Sequence, residues 1–488
     1  MRSTSVRFLV VLMFSHITSA FTNNQNNVSI VIIGAGAAGI AAATRLMEHT
    51  FTNVQILEAE DYIGGRVRSV EFGDAYVDLG AEYCHGQKDN VVYELAKNYL
   101  ASEKPELVIH YSENGEPLPH KLQETLLNIS HTVSHRSDNS SLPHPCKNVY
   151  SEGSCLDYVF KFESSKGKIK HELWKLAYEW LKSYASATES AIHLDDVSLI
   201  SEYEELEGDQ MLTWQGQGFK TIFNIMTNDT KLNVKFKTKV VKILDWTTDS
   251  QLILVEDGYN LTAKHVIFTP SLGVLKSTHE KLFYPSLLDE RRISIDQIGF
   301  GVLVKVALYF NKSWWSLDNP KILACMWSRD HDDEMDKLNL RWLRQFVAFT
   351  RVEGNPNVLM AWFAGEKTPQ IESLAEEELL KGISFLLKCF TGTYSNVSMP
   401  SKLLSSKWLA NLNFRGAFSF DAVKAYIDGL SGLREALGSP TLSATGMPTL
   451  LFAGEATHPK RYATVHGAIE SGYREADRLI KYYKSIKS

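Results

Sequence analysis

Gly34, Gly36 and Gly39, followed nineteen residues later by Glu58, are spaced as a chain spaces residues that hold a dinucleotide. Gly34 allows a tight strand-to-helix turn, Gly36 lets backbone approach a pyrophosphate, and Gly39 lets the helix pack close to the strand. Ala38 lies in the first helical turn, where unpaired N–H groups and the positive dipole end attract phosphate. An acid at position 58 accepts hydrogen bonds from ribose hydroxyls and repels a 2′-phosphate. Two further residues could act on a small molecule. Lys305 is the only charge in the apolar run GFGVLVKVALYF, Gly299 to Phe310. If buried it must be partnered or neutral, and on an edge strand its head would reach water. His85 could accept a proton in a pocket or be a satisfied loop histidine.

The elements that must position these residues are legible in outline. Ser29 to Ile33 is a β-branched run that reads as a buried strand, Ala37 to Met47 as a helix, and Val54 to Leu57 as a second strand ending at Glu58. Gly299 to Phe310 alternates as a strand, and Leu232 to Lys239 and Leu252 to Glu256 read as two more. In HELWKLAYEWLKS, His171 to Ser183, the residues Leu173, Trp174, Ala177, Trp180 and Leu181 share one helical face, which predicts a core helix. Ser112 to Ser154, rich in Ser, His, Asn and Pro, reads as an exposed loop region or insertion rather than core. The acidic run Glu202, Glu204, Glu205, Glu207 and Asp209 is either a solvated face or an entrance that concentrates a polycation.

After Glu58 come Gly64, Gly65 and Arg66, then EFGDAYVDLGAEYCHG, Glu71 to Gly86. KHVIFTPSLGVL (Lys264 to Leu275) and RGAFSF (Arg415 to Phe420) follow, and the most specific stretch is LFAGEATHPKRYATVHGAIESGYREADRL, Leu451 to Leu479. Together these segments resemble the flavin-dependent amine oxidase family, closest to its polyamine- and spermine-oxidising members, over Val28 to Ile480. The resemblance implies an FAD cradle of Gly34, Gly36, Ala38, Gly39, Glu58, Gly65, Arg66, Asp78, Gly80, Ala81, Glu82 and Val240, completed by Trp408, Gly454, Glu455, Thr464 and Val465. It implies that Lys305 holds a water against flavin N5 and that His85, Phe418 and Thr464 face the substrate. Ala417 stands where monoamine oxidases have the cysteine that bonds the flavin, so FAD is expected to be non-covalent. The reaction implied is hydride transfer from an amine α-carbon to flavin N5, giving an aldehyde, a shorter amine and, with oxygen, hydrogen peroxide. The segment Gln215 to Phe219 departs from the more usual P-x-GG-F form. A secreted L-amino-acid or monoamine oxidase and a non-catalytic secreted flavoprotein stay open as alternatives.

The fold implied is α/β: a Rossmann-like FAD-binding domain from 27–83, 212–280 and 440–485, and an α+β substrate domain with a mixed sheet and helices from 84–211 and 281–439. With 488 residues, 44% of them hydrophobic, the chain can bury roughly two or three cores. A net charge of -6 gives no basic footprint for nucleic acid. Met1 to Ala20, with Arg2, Arg7, the apolar run Phe8 to Phe14 and a small-residue end, has the parts of a signal peptide. It predicts a secreted or lumenal protein without stable membrane insertion. Seven sequons, at Asn27, Asn128, Asn139, Asn228, Asn260, Asn311 and Asn396, fit that compartment. Of the five cysteines, Cys146 and Cys155 are the expected disulfide. No metal site is expected.

Overall fold

The computed structural model describes residues 28–102, 107–111, 115–133, 146–166, 171–315, 322–392 and 396–486. The expected leader and the sequons at Asn27 and Asn139 lie outside these residues.

The run Ile30–Ile33 becomes the middle of a six-stranded sheet because its side chains are apolar on both faces and are buried on both. It pairs in parallel with Val54–Leu57 on one side (Ile33 opposite Leu57) and with His265–Phe268 on the other (Ile33 opposite Phe268). Outward from these lie Val234–Lys235 and Pro448–Phe452, both parallel, and Thr441–Leu442, the one antiparallel strand. Two helices cover one face: α1, Ala37–Glu48, and α2, Val465–Ser485. Alanines dominate the buried side of α1, and Gly472 brings α2 so near that a Cβ there would stand 2.2 Å from the Ala38 carbonyl oxygen. Gly39 is required for the same kind of reason, since its Cβ would fall 2.0 Å from the Gly34 carbonyl oxygen.

A second six-stranded sheet runs in the order Lys402–Ser405, Val304–Tyr309, Val358–Phe363, Phe346–Arg351, Ile322–Met326, Leu107–Tyr111. All of its pairs are antiparallel except the last, so the sheet is mixed. Its two faces are buried by separate helical layers. One layer is Glu376–Phe390 with its neighbours; the other holds His120–Val133, Glu152–Ser165 and His171–Glu189. Trp174, Ala177, Trp180 and Leu181 are core residues there. The fold is thus the expected combination of a Rossmann-like, largely parallel sheet with a mixed α+β unit.

Two expectations are corrected. Ser112 to Ser154 is not simply an exposed loop region: it contains the 14-residue helix His120–Val133, with Leu126, Ile129 and Val133 buried. Its polar composition hid an apolar i, i+3, i+7 stripe. The Cys146–Cys155 disulfide, Cα–Cα 5.0 Å, ties the segment after it to the next helix. The other concerns the boundary drawn at 280. Phe283–Tyr284 pairs with Val240–Leu244, and Leu287, Ile295 and Ile298 share a core with Val31, Phe268 and Phe452. Apolar periodicity reports that a face is buried, not which sheet buries it.

Candidate active site

A cavity of about 860 Å³ reaches from the carboxyl ends of the parallel strands to the second sheet. Ile33, Leu57 and Phe268 end at its first part, where an α/β sheet places its ligands. Gly34, with φ +100°, makes the turn into α1, and Gly36 precedes that helix without a side-chain cap, leaving N–H groups for an anion. Gly64 and Gly65, both at positive φ, come so close that a Cβ on Gly65 would stand 3.3 Å from the Gly36 Cα. Glu58 is 6% exposed and accepts from Ala35 N at 2.6 Å and Glu60 N at 2.8 Å. Burial raises its pKa, and the two N–H groups oppose the rise. Ala38 and Val240 also line this end. Gly39 does not line it; its role is the helix–strand packing described above.

Arg66 reaches across the middle of the cavity. Its Nη1 donates to Ala417 O at 2.6 Å and pairs with Glu455 Oε1 at 3.0 Å. Glu455 in turn accepts from Ser419 Oγ at 2.6 Å and Ala463 N at 2.9 Å. Burial pushes the Glu455 carboxyl up, but Arg66, Ser419 and Arg434 outweigh it and hold the group below the usual carboxylate range. Gly80 passes under Arg66 so tightly that a Cβ would meet its carbonyl oxygen at 1.8 Å. Ala81 N donates to the same oxygen at 3.2 Å. Trp408 Nε1 donates to Leu79 O at 3.0 Å, which pins the indole against the cavity. Gly454, at φ +131°, and Val465 complete the wall. Thr464 lines it as well, but its hydroxyl is committed to capping α2, accepting from Gly467 N at 3.0 Å and donating to Arg461 O at 2.7 Å.

At the other end, Lys305 is 2% exposed. Its ammonium donates to Gly80 O at 3.1 Å, forms an ion pair with Glu82, and lies 4.2 Å from the centroid of the Trp362 ring. Of its three donors, two have protein acceptors and one is left for another acceptor. His85 lines the same space and donates from Nδ1 to Gln210 O at 2.6 Å, because a carbonyl can only accept. Burial lowers its pKa, so near neutral pH the ring is uncharged and Nε2 is an acceptor. Phe418 forms part of the wall. Asp78, expected in the flavin cradle, is elsewhere: its carboxylate accepts from Ser69 Oγ and from Phe219 N at 3.1 Å and 3.2 Å. It anchors the Gln215 to Phe219 loop, in which Gln215, Gly216 and Gly218 all have positive φ.

The model of one protein family, flavin containing amine oxidoreductase, matches residues 37–480. This chain belongs to that family. Among curated relatives, it is 27% identical to probable polyamine oxidase 5 of Arabidopsis thaliana, covering 93% of this chain and 98% of that one. It is 28% identical to the peroxisomal N(1)-acetyl-spermine/spermidine oxidase of Homo sapiens, over 93% of this chain and 95% of the relative. It is 28% identical to protein anon-37Cs of Drosophila melanogaster, over 95% and 92%. As a flavin-containing amine oxidoreductase, the chain uses FAD as its cofactor and acts on a small-molecule amine.

The residues present fit that cofactor. The glycine cradle, the uncapped start of α1 and the buried Glu58 suit a pyrophosphate and a ribose. The guanidinium of Arg415, whose buried Nε has no hydrogen-bond partner among the described residues, lines the same part of the cavity and suits a phosphate. Sequence reasoning did not single out Arg415, nor Tyr184, Glu189, Tyr203, Trp362 and Tyr462, all of which line the cavity. A partial signal existed. Tyr184, Ala187 and Thr188 lie at i, i+3 and i+4 beyond the core stripe of helix His171–Glu189, and all three face the cavity. The acidic run is divided: Glu205 lines the cavity, whereas Glu207 pairs with Lys88 at 2.9 Å on the surface.

Proposed function

We propose that the chain oxidises a polyamine (spermine, N1-acetylspermine or spermidine) to an aldehyde and a shorter amine, with release of hydrogen peroxide. The observation that carries this reading is the composition of the amine end. Glu189 and Glu205 line one space with the rings of Tyr184, Tyr203 and Tyr462, the neutral His85 and the paired Lys305. Carboxylates beside aromatic faces suit a flexible chain with more than one ammonium. The relatives named for polyamines support the same choice.

When bound, FAD would supply the acceptor for two electrons and the α-hydrogen of the amine, with oxygen as the final acceptor and water hydrolysing the oxidised amine to the aldehyde and shorter amine. The protein's part is selection and placement. His85 Nε2 accepts an N–H of the amine near the reacting carbon and orients that nitrogen, while Glu189 and Glu205 receive a distal ammonium. Lys305 offers its remaining donor to a water beside the reacting centre. Trp408, Phe418 and Trp362 keep the rest of that space dry. We assign Gly34, Gly36, Ala38, Glu58, Gly65 and Arg66 to the cofactor on the grounds of their place in the cavity.

The test is anaerobic mixing of the purified protein with spermine, N1-acetylspermine, spermidine, a monoamine and an L-amino acid while the oxidised-flavin absorbance is followed. Bleaching by a polyamine at low concentration is the expected result. Bleaching by the amino acid or monoamine alone would replace the substrate class, and a flavin that none of them bleaches would mark a binding protein. We also propose a secreted or lumenal glycoprotein, since the five sequon asparagines among the described residues are all exposed. An unglycosylated product that keeps Met1 to Ala20 would overturn this part.

A further inference from the structure

Lys305 is buried near the start of the strand one in from the edge of the second sheet, and its charge has to be balanced there. Two carboxyl groups face it. Glu82, whose side chain is 15% exposed, forms the direct ion pair at the cavity wall. Asp78, four residues earlier, is close enough for its ionisation to feel both Lys305 and Glu82, but it spends its hydrogen bonds on Ser69 and Phe219 N. The Gly80 carbonyl and the Trp362 ring provide the remaining contacts to the ammonium. The stretch 80–82 therefore grips the lysine from a segment that the sequence assigned to the cofactor.

We propose that Glu82 is a positioning residue for Lys305, not a cofactor ligand: its carboxylate fixes the ammonium and cancels its charge, so that a cationic amine can enter beside it. The proposal rests on the amine-oxidation reading of the site and adds the device that makes a buried cation compatible with a cationic substrate. An isolated ammonium on the cavity wall would repel that substrate and would stabilise added negative charge nearby. The pair does neither, while still presenting one N–H donor.

The test is a double-mutant cycle of Glu82→Gln and Lys305→Met, each with FAD content measured first. Glu82→Gln should keep FAD, shift the flavin midpoint potential upward and raise the KM for a polyamine on the order of tenfold. Asp78, raised chiefly by burial and in part by Glu82, is then the one carboxyl facing Lys305 among the described residues. Accordingly kcat/KM of the variant should rise with pH below neutrality more steeply than in the wild type. Glu82→Asp, which keeps the charge, should restore the wild-type pH profile. In a Lys305→Met background, where no ammonium is left to hold, Glu82→Gln should lower the thermal unfolding temperature of the apoprotein less than it does with Lys305 present. An equal loss of unfolding temperature in both backgrounds, or no change of potential with Lys305 present, would overturn the assignment. The potential and the thermal unfolding of the apoprotein variants are read without substrate, so these arms stand or fall independently of which amine is oxidised.

Discussion

The two ends of the cavity are built on different principles. The end beside the parallel sheet is made mostly of backbone: glycines at 34, 36, 64 and 65, an uncapped helix start, and one carboxylate held by two N–H groups. The end around Lys305 is made of side chains that arrive from distant parts of the chain, Glu82 and His85 from one loop, Glu189 from a helix, Lys305 and Trp362 from adjacent strands. A backbone cradle tolerates no added atoms, because a Cβ cannot move aside. A side-chain pocket tolerates substitution and answers with a change in rate or affinity. The first kind of site defines a cofactor class; the second defines which molecule is turned over.

Substitutions at the two ends should therefore fail in different ways. The largest effect is expected for Gly80→Val, which would press a side chain against the Arg66 carbonyl. We expect a loss of about 3 kcal/mol of stability and a protein purified without flavin colour. A yellow, stable variant would show that the cradle has more room than its contacts allow. Next is Lys305→Met. Here FAD should remain bound while the rate constant of anaerobic flavin reduction falls on the order of a hundredfold. An unchanged rate would remove Lys305 from the chemistry.

His85→Ala should be milder, lowering kcat/KM about tenfold through loss of one neutral hydrogen bond, again with full flavin content. Since burial depresses the histidine, it stays uncharged at neutral pH and above, and the pH profiles of wild type and variant should have the same shape there. A limb that disappears with His85 would contradict the neutral assignment. The smallest effect is on stability alone. Burial raises Asp78 from 3.8 to about 7, so the native state binds a proton that the unfolded chain has released. Its contribution is greatest at low pH and is lost as pH rises through 7. In Asp78→Asn that slope should vanish, and the melting temperature should vary less with pH between about 4 and 7.

The readable part of the site was the part that repeats a local pattern. Gly34, Gly36 and Glu58 lie within one strand–helix–strand unit, where spacing along the chain is spacing in space. Lys305 was visible as a charge in an apolar strand, but its partner was not: Glu82 lies 223 positions away, and nothing in either segment announces the other. Asp78 shows the opposite failure. It sits in a run that resembles a flavin loop, yet the alternation of Ala75–Asp78 turns its carboxylate toward Ser69 and Phe219. The helix His120–Val133 is hidden in the sequence by its polar composition, which masks the buried stripe of Leu126, Ile129 and Val133.

By itself the sequence determined the cofactor class, the parallel sheet and the candidacy of Lys305 and His85, because each depends on residues near one another in the chain or on the cost of burying a charge. Only the tertiary structure decided that Glu82 balances Lys305, that Arg66 is braced by Glu455, that Thr464 caps a helix, and that Glu189 and Glu205 share one space with His85. Those pairings depend on how two sheets close over a common cavity, and electrostatic partners are chosen by distance through space, which chain spacing does not encode.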